Sequence, residues 1–476
     1  MKKNLVTINQ FKGFYNLPNS RIPEEGLSYL HNAIVTNEGS IVARQGFQYY
    51  GSATYTDARV VDSIFLSTGD AYILVKTNAP AVYFLNATTG VQADTENINC
   101  NNILQYNDLV YIFYNSGNIK TFNIATSTLV DTGISVQATT GLIHKTRMFL
   151  ANSLGSGTLD STLRYSDLFT LNAPNTAGGW PVNNTIDVQS SDGDPIIAIS
   201  VLNDVILIFK NFSTWALYAD GEPPWTLRML HPTIGSIGRD SCVVVGGMVY
   251  FMSTQGLFRT DGTTFENLSL SDTNPALYSS GVSNSFNISA VEFKGKYIVN
   301  NNNDIRVYNI ENSSWALWDC QTDALSGRIL LLKQVSELEL LTWIYGSSKR
   351  GLKYTENVPG TGTYLDKTSS GYTVDINTKL TNFEMPGKIK TVKQVLLDFS
   401  SLLTSTVTVS VTYELNGTTM LGPYTAVLAT NTAENRQILA FRGPMKCEEI
   451  MVKIQFTCTG YIELNSITYD IAVAEE

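Results

Sequence analysis

One pattern recurs along the middle of this chain and constrains its fold more than any other feature. It is a polar start, four or five apolar-rich residues, a tight turn, a second strand-like run and another turn. NDLVYIFYNSGNIKTFNIATSTL (Asn107 to Leu129) has it, with the turn at Asn115-Ser116-Gly117. NDVILIFKNFSTWALYADGEPPW (Asn203 to Trp225), GGMVYFMSTQGLFRTDGTTFENL (Gly246 to Leu268) and FKGKYIVNNNNDIRVYNIENSSWALW (Phe293 to Trp318) repeat it. DAYILVKTNAPAVYFLNATTG (Asp70 to Gly90) is an earlier member and ELELLTWIYGSSKRGLKYTEN (Glu337 to Asn357) a weaker one. Alternation with period two marks half-buried strands. A hairpin by itself cannot bury its apolar face, but several packed in a ring can, and the ring leaves few open edges. The units begin at intervals of about 35 to 60 residues, which overlaps the period of propeller blades. The expected fold is therefore all-β, with a β-propeller of six or seven blade-like units over residues 51–360. A β-sandwich assembly with coincidental spacing is the alternative.

The flanks read differently. In EEGLSYLHNAIVTNEG, Leu27, Leu30 and Ile34 fall at helical spacing and Gly39 offers a stop, so residues 1–50 are expected to be an arm with a short helix, packing on or feeding the propeller. VPGTGTYLDKTSSGY (Val358 to Tyr372) is rich in Gly, Thr and Ser and reads as a linker or long loop. Beyond it lie longer alternating runs, with a hairpin signal at Asn416-Gly417, which make residues 373–476 a C-terminal β-sandwich-like domain.

Chemistry is sparsely signalled. The 476 residues carry 32 basic and 42 acidic side chains, a net charge of −10, which argues against a dedicated nucleic-acid binder. An acidic wall would instead let DNA slide past without sticking. No apolar run approaches the ~18 residues that span a bilayer, and MKKNLVTINQ is a poor secretory signal. Cys100, Cys242, Cys320, Cys447 and Cys458 form no CxxC pair, and such sparse use fits a reducing cytoplasm; Cys447 and Cys458 could face each other across a hairpin, but two separate half-buried thiols are the expected reading. His31, His144 and His231 are scattered, so neither a His-based metal site nor a Ser-His-Asp site is expected. Asp187, Asp192 and Asp194 cluster in TIDVQSSDGDP, but the run lacks the calcium-loop pattern and reads as a solvated turn. Trp215, Trp225, Trp315 and Trp318 stand at unit ends, where closing one blade on the next is the expected role and sugar stacking the alternative. No phosphate-cradling glycine loop is present. The reading is therefore of no catalytic, cofactor-binding or metal-ligating residues and no cofactor.

Several stretches taken in order resemble a known family. Asn32, Gly39 and Arg44-Gln45-Gly46 match an N-terminal "N … G … R-x-G" pattern. RYSDLFTLNAPNTAGGWPVNNTIDV, with Arg164, Ser166 and Trp180, looks like a strand-and-loop stretch in which R/Y-x-S precedes a Trp-containing loop. DGDPIIAISVLNDVILIFKNFSTWAL follows it, and TKLTNFEMPGKIKTVKQVLLDF resembles the opening of a C-terminal β-domain. The family is that of bacteriophage tail hub and nozzle proteins, of the packaged-DNA stabilisation and tail tubular protein B type.

The resemblance implies a structural virion protein with no active site, not an enzyme. It implies a propeller-containing subunit forming a homohexameric ring below the portal and adaptor proteins. That ring would form and gate the DNA-ejection channel and anchor tail fibres or a needle. The chain would fold in the host bacterial cytoplasm, end in the virion tail, touch genomic DNA only passively and carry no membrane anchor. Six copies would bring 6 × (−10) = −60 formal charges, part of which could line the lumen. The rival readings are a carbohydrate-binding or depolymerase propeller and a fibre-adaptor or baseplate β-protein.

Overall fold

A computed structural model of the chain describes residues 2–473 apart from 16, 57, 78–80, 99, 101, 114–117, 124–125, 137, 152–160, 169–178, 272–287, 302–304, 320–328, 337–338, 345–348, 357–363, 365, 367–370 and 432. The turn at Asn115-Ser116-Gly117, Cys320 and most of the stretch from Val358 to Tyr372 lie outside these residues. The described residues form 39 strands and three short 3-10 turns, with no α-helix. No helix among them is long and apolar enough to cross a membrane.

Five strands come first: β1 (Lys2–Ile8), β2 (Leu27–His31), β3 (Ala33–Val35), β4 (Ile41–Ala43) and β5 (Phe47–Tyr55). The blades follow in chain order. Blade 1 is β6 (Arg59–Phe65), β7 (Ala71–Lys76), β8 (Val82–Asn86) and β9 (Gln92–Glu96). Blade 2 is β10 (Asn102–Tyr106), β11 (Leu109–Phe113), β12 (Ile119–Asn123) and β13 (Thr128–Ile134). Blade 3 is β14 (Thr140–His144), β15 (Arg147–Ala151), β16 (Thr162–Tyr165) and β17 (Thr185–Asp187). Blade 4 is β18 (Ile196–Leu202), β19 (Val205–Lys210), β20 (Thr214–Tyr218) and β21 (Thr226–His231). Blade 5 is β22 (Val243–Val245), β23 (Met248–Ser253), β24 (Gly256–Thr260) and β25 (Phe265–Asn267). Blade 6 is β26 (Ile288–Phe293), β27 (Lys296–Asn301), β28 (Ile305–Asn309) and β29 (Ser314–Trp318). Blade 7 joins β30 (Ile329–Ser336), β31 (Glu339–Ile344) and β32 (Lys349–Thr355) to β5.

The first strand of each blade touches the first strand of the next, and β30 returns to β6, so seven blades close a ring. The closing strand β5 precedes blade 1 in sequence and pairs antiparallel with β32, with Phe47 opposite Tyr354. Chain-end mixing within one blade locks the two ends of the ring together by main-chain hydrogen bonds. Each repeated hairpin of the sequence is the middle pair of one blade: β7–β8, β11–β12, β19–β20, β23–β24, β27–β28 and β31–β32. Their apolar alternation fills the layers between blades, as where Phe84 of blade 1 stacks on Phe122 of blade 2 at 4.2 Å.

The short helix expected at the N-terminus is absent, and the arm is not only a propeller element. Leu27 to Val35 forms β2 and β3, broken at Asn32, whose φ of +56° no helix tolerates. The three apolar positions at helical spacing also fit two short strands in tandem, and tertiary pairing decides between them. Only β5 feeds the propeller. β1 to β4 enter the C-terminal domain, whose own strands are β33 (Tyr372–Thr378), β34 (Lys390–Leu402), β35 (Val407–Leu415), β36 (Thr419–Leu428), β37 (Asn435–Cys447), β38 (Ile450–Cys458) and β39 (Tyr461–Val473).

That domain is a sandwich of two sheets. One runs β3-β4-β39-β34-β37, with β1 added on β39. The other runs β2-β33-β38-β35-β36 and is continuous with blade 6, because β2 pairs parallel with β29. Between the sheets Phe399 meets Phe456 edge-on at 6.2 Å. One apolar cluster spans both bodies, taking in Phe293, Trp318 and Tyr354 of the propeller with Val374, Val395 and Ile454 of the sandwich.

Candidate functional site

The residues that carried the family resemblance fall into two places. Asn32, Gly39, Arg44 and Gly46 surround the junction of propeller and sandwich. Arg44 is 2% exposed and uses all five guanidinium N–H groups. Nε donates to Asn32 Oδ1 (2.9 Å), Nη1 to Asp366 Oδ1 (2.9 Å) and the Gln45 carbonyl (2.8 Å), and Nη2 to Asp366 Oδ2 (2.8 Å) and the Asp319 carbonyl (2.6 Å). The Tyr372 ring lies 4.0 Å from the guanidinium carbon, and the Tyr372 hydroxyl donates to the Arg44 carbonyl. Burial works against the charge, and the fork to Asp366 outweighs it and raises the pKa above the ordinary arginine value.

Asn32 completes the knot. Its Oδ1 also accepts from the Asp319 N–H (3.0 Å), and its Nδ2 donates to Asp319 Oδ1 (2.9 Å) and the Thr373 carbonyl (2.8 Å). Its left-handed backbone turns β2 into β3 while its own N–H reaches the Leu317 carbonyl of blade 6 (2.7 Å). Gly39, at φ +87°, ends the β3–β4 turn with Gln10 Cα 2.8 Å from where a Cβ would stand. Gly46 is buried between Arg44 and β5. Next to the knot, His31 Nε2 lies 3.3 Å from Asp319 and Nδ1 3.6 Å from Asp375. Burial disfavours its cation, but the two carboxylates outweigh that and raise its pKa to about 9. Asp319 shows the reverse balance: burial opposes ionisation, and His31 and Asn32 bring its pKa down to about 2. Asp319, Asp366, Tyr372 and Asp375 were not signalled by the sequence, and Tyr364, Asp366 and Tyr372 anchor what read as a linker.

Arg164, Ser166 and Trp180 sit apart from this knot, in blade 3. Ser166 Oγ accepts from the Met148 N–H (2.9 Å) and donates to the Asp167 carbonyl (2.8 Å), stapling the end of β16 to β15. Half-buried Arg164 lies within β16. Trp180 packs with Tyr111, Phe113 and Met148 between blades 2 and 3.

The acidic cluster is structural in its bonding. Lys210, fully buried, donates to both Asp192 oxygens (2.6 and 2.8 Å) and to two carbonyls. Asp194 caps the β19–β20 turn at the N–H groups of Asn211 and Phe212 (2.9 and 3.1 Å), while burial raises its pKa. Asp187 holds Ser190. This is more buried than a solvated turn, since Asp194 is 8% exposed. Among the described residues no three His, Cys, Asp or Glu side chains converge as metal ligands. Cys100, Cys242, Cys447 and Cys458 are free thiols, and Cys447 and Cys458 are buried rather than half-buried.

One side chain bridges blades that are not neighbours in the ring. Arg239, in the loop leading into blade 5, donates Nη1 to the Thr139 carbonyl at the start of blade 3 (2.9 Å) and feels the charge of Asp62 in blade 1. It is forked to Asp240 (3.1 and 2.7 Å), whose carbonyl accepts the Ala290 N–H of blade 6 (2.8 Å). The Arg239 hydrogen bond to Thr139 ties the entry loop of blade 5 to the start of blade 3, on the inner side of the ring. Arg239 is 8% exposed there.

A small cavity of about 200 Å3 opens between blades 3 and 4, lined in part by His144, Lys145, Arg147, Phe149, Glu222 and Trp225. Arg147 Nη2 donates to Glu222 (2.6 Å) and Nη1 to the Ser166 carbonyl (3.0 Å). Trp225 packs on Tyr165 at 4.7 Å and Phe149 at 5.6 Å. Trp315 and Trp318 bridge neighbouring blades, whereas the Trp215 indole donates to Ser213 of its own blade (3.1 Å). Trp315 donates to the Leu268 carbonyl of the neighbouring blade (3.3 Å), and Trp318 packs on Tyr354 of blade 7 at 5.1 Å.

No family model matches the sequence, and no curated protein matches it. Among solved structures, the computationally designed Ika8 protein is 10% identical, with 64% of this chain and 99% of that one covered and a TM-score of 0.40. BamB from Moraxella catarrhalis is 14% identical, with 68% and 97% covered and a TM-score of 0.40. The propeller is defined by the sheet order and ring closure of this chain itself.

Proposed function

We propose that this chain is a structural ring subunit of a bacteriophage tail, a hub or nozzle component below the portal and adaptor. The observation that carries the reading is the knot at Arg44. The ordered residues Asn32, Gly39, Arg44 and Gly46, which resemble the family's N-terminal pattern, sit where propeller and sandwich are fastened into one body. Their bonds are saturated within the chain, which suits a mechanical part that transmits load and does no bond chemistry. Arg239, bridging blades 5 and 3 on the inner side of the ring, adds a geometric condition. DNA would pass through a lumen enclosed by several copies, not through the propeller of one. Six acidic copies would keep that lumen from holding phosphate.

Purified protein examined by mass photometry and negative stain tests this. The expected result is rings of six copies, about 314 kDa for 6 × 52.3 kDa, or monomers that form such rings on the portal–adaptor complex of the same virion. A chain that stays at 52.3 kDa and binds no tail component contradicts it.

A further inference from the structure

The cavity between blades 3 and 4 is unused by the reading above, and its wall has a chemical signature. One side is aromatic, with Trp225 backed by Phe149 and Tyr165. The rest of the wall includes donors, Arg147 and Lys145, and acceptors, the Glu222 carboxylate and the imidazole of His144. His144 is 6% exposed, and its Nε2 has no hydrogen-bond partner among the described residues. Burial leaves it neutral, with its pKa below the ordinary 6.5. A buried polar atom left without a partner is uncommon and costs stability unless something outside the chain satisfies it. The charges cancel locally: Arg147 pairs with Glu222, and Lys145 with Asp220 at 3.2 Å. Glu222 is 69% exposed, so its carboxylate can meet a ligand while it stays paired with Arg147, which is 7% exposed.

We propose that this cavity is a binding site for one neutral hexopyranose ring, presented by a glycan. A ligand meeting this wall needs an apolar face to stack on Trp225. It also needs several groups on its rim that each donate and accept, because the wall holds both donors and acceptors. A polyhydroxylated ring supplies both. The cancelled charges favour an uncharged sugar over an acidic one, since an extra carboxylate would have to displace Glu222 from Arg147. The volume is below the ~300–1,000 Å3 usual for larger ligands and suits a single ring with its neighbours left in solvent. The site stands or falls independently of ring assembly.

Saturation-transfer NMR on the full chain tests it with a panel of methyl glucopyranoside, galactopyranoside and mannopyranoside, and methyl glucuronide as the acidic counterpart. At least one neutral sugar is expected to receive saturation at its ring C–H protons, with millimolar affinity, and to exceed the glucuronide. Trp225→Ala should abolish the effect while the thermal midpoint shows the fold is kept. Should that variant unfold, Glu222→Ala, on an exposed side chain, is expected to weaken binding at least fivefold, as is His144→Phe. No transfer to any neutral sugar, preference for the glucuronide, or full binding by folded Trp225→Ala or by Glu222→Ala overturns the proposal.

Discussion

Arg44→Met would leave the Asp366 carboxylate in a site where it is 1% exposed, with its cation gone. Breaking one side of such a pair costs about 3–5 kcal/mol, read as a fall in the urea midpoint. Arg44→Met combined with Asp366→Leu should recover part of that loss, because the orphaned charge goes too; a single variant as stable as the parent contradicts the knot. His31 gives a pH signature. Its folded pKa of about 9 stands above the ordinary 6.5, so its contribution is full below about 6.5 and fades as pH rises through 9. The shift corresponds to about 3 kcal/mol, reduced to about 2 kcal/mol by its partial exposure to solvent. Asp319 acts at the other end: its contribution is present above 3.8 and lost as pH falls through about 2. His31→Gln should flatten the decline of the thermal midpoint between pH 6.5 and 9; an unchanged slope contradicts the assignment. The motif residues were legible as an ordered set, but their work was not. Arg44 and Asp366 are 322 residues apart, and no local spacing reports a contact of that range.

The paired middle strands of six blades were legible, because period-two alternation and tight turns are local signals. Blade 3 escaped the pattern, since ten residues, 152–161, separate β15 from β16 in the sequence. The arm misled for the opposite reason: its apolar spacing satisfied a helix, while its partners, β29 and β33, lie far along the chain. Those partners make an element-scale prediction. Deleting residues 1–55 removes β5 and leaves β32 as an open edge in an unclosed ring. The product should be aggregated or bind hydrophobic dye, whereas deleting residues 1–8, which removes only the added strand β1, should leave a soluble protein with a native near-UV spectrum. A soluble, cooperatively unfolding chain lacking residues 1–55 would contradict closure by β5.

At the scale of the molecule, all-β architecture and a two-part plan were readable, but the border between the parts was not. The sheet of blade 6 runs on through β2 into the sandwich, and one apolar cluster serves both. On the proposed ring-subunit reading, Arg239 bridging blades 5 and 3 places the conduit beside the propeller, not through it. A cryo-EM map of the purified tail particle containing this chain is the most direct test. The account predicts six copies in a ring, with Arg239 bridging blades 5 and 3 in each propeller and the lumen lying between subunits. A single copy on the tail axis, or density for DNA running through the propeller itself, would contradict it.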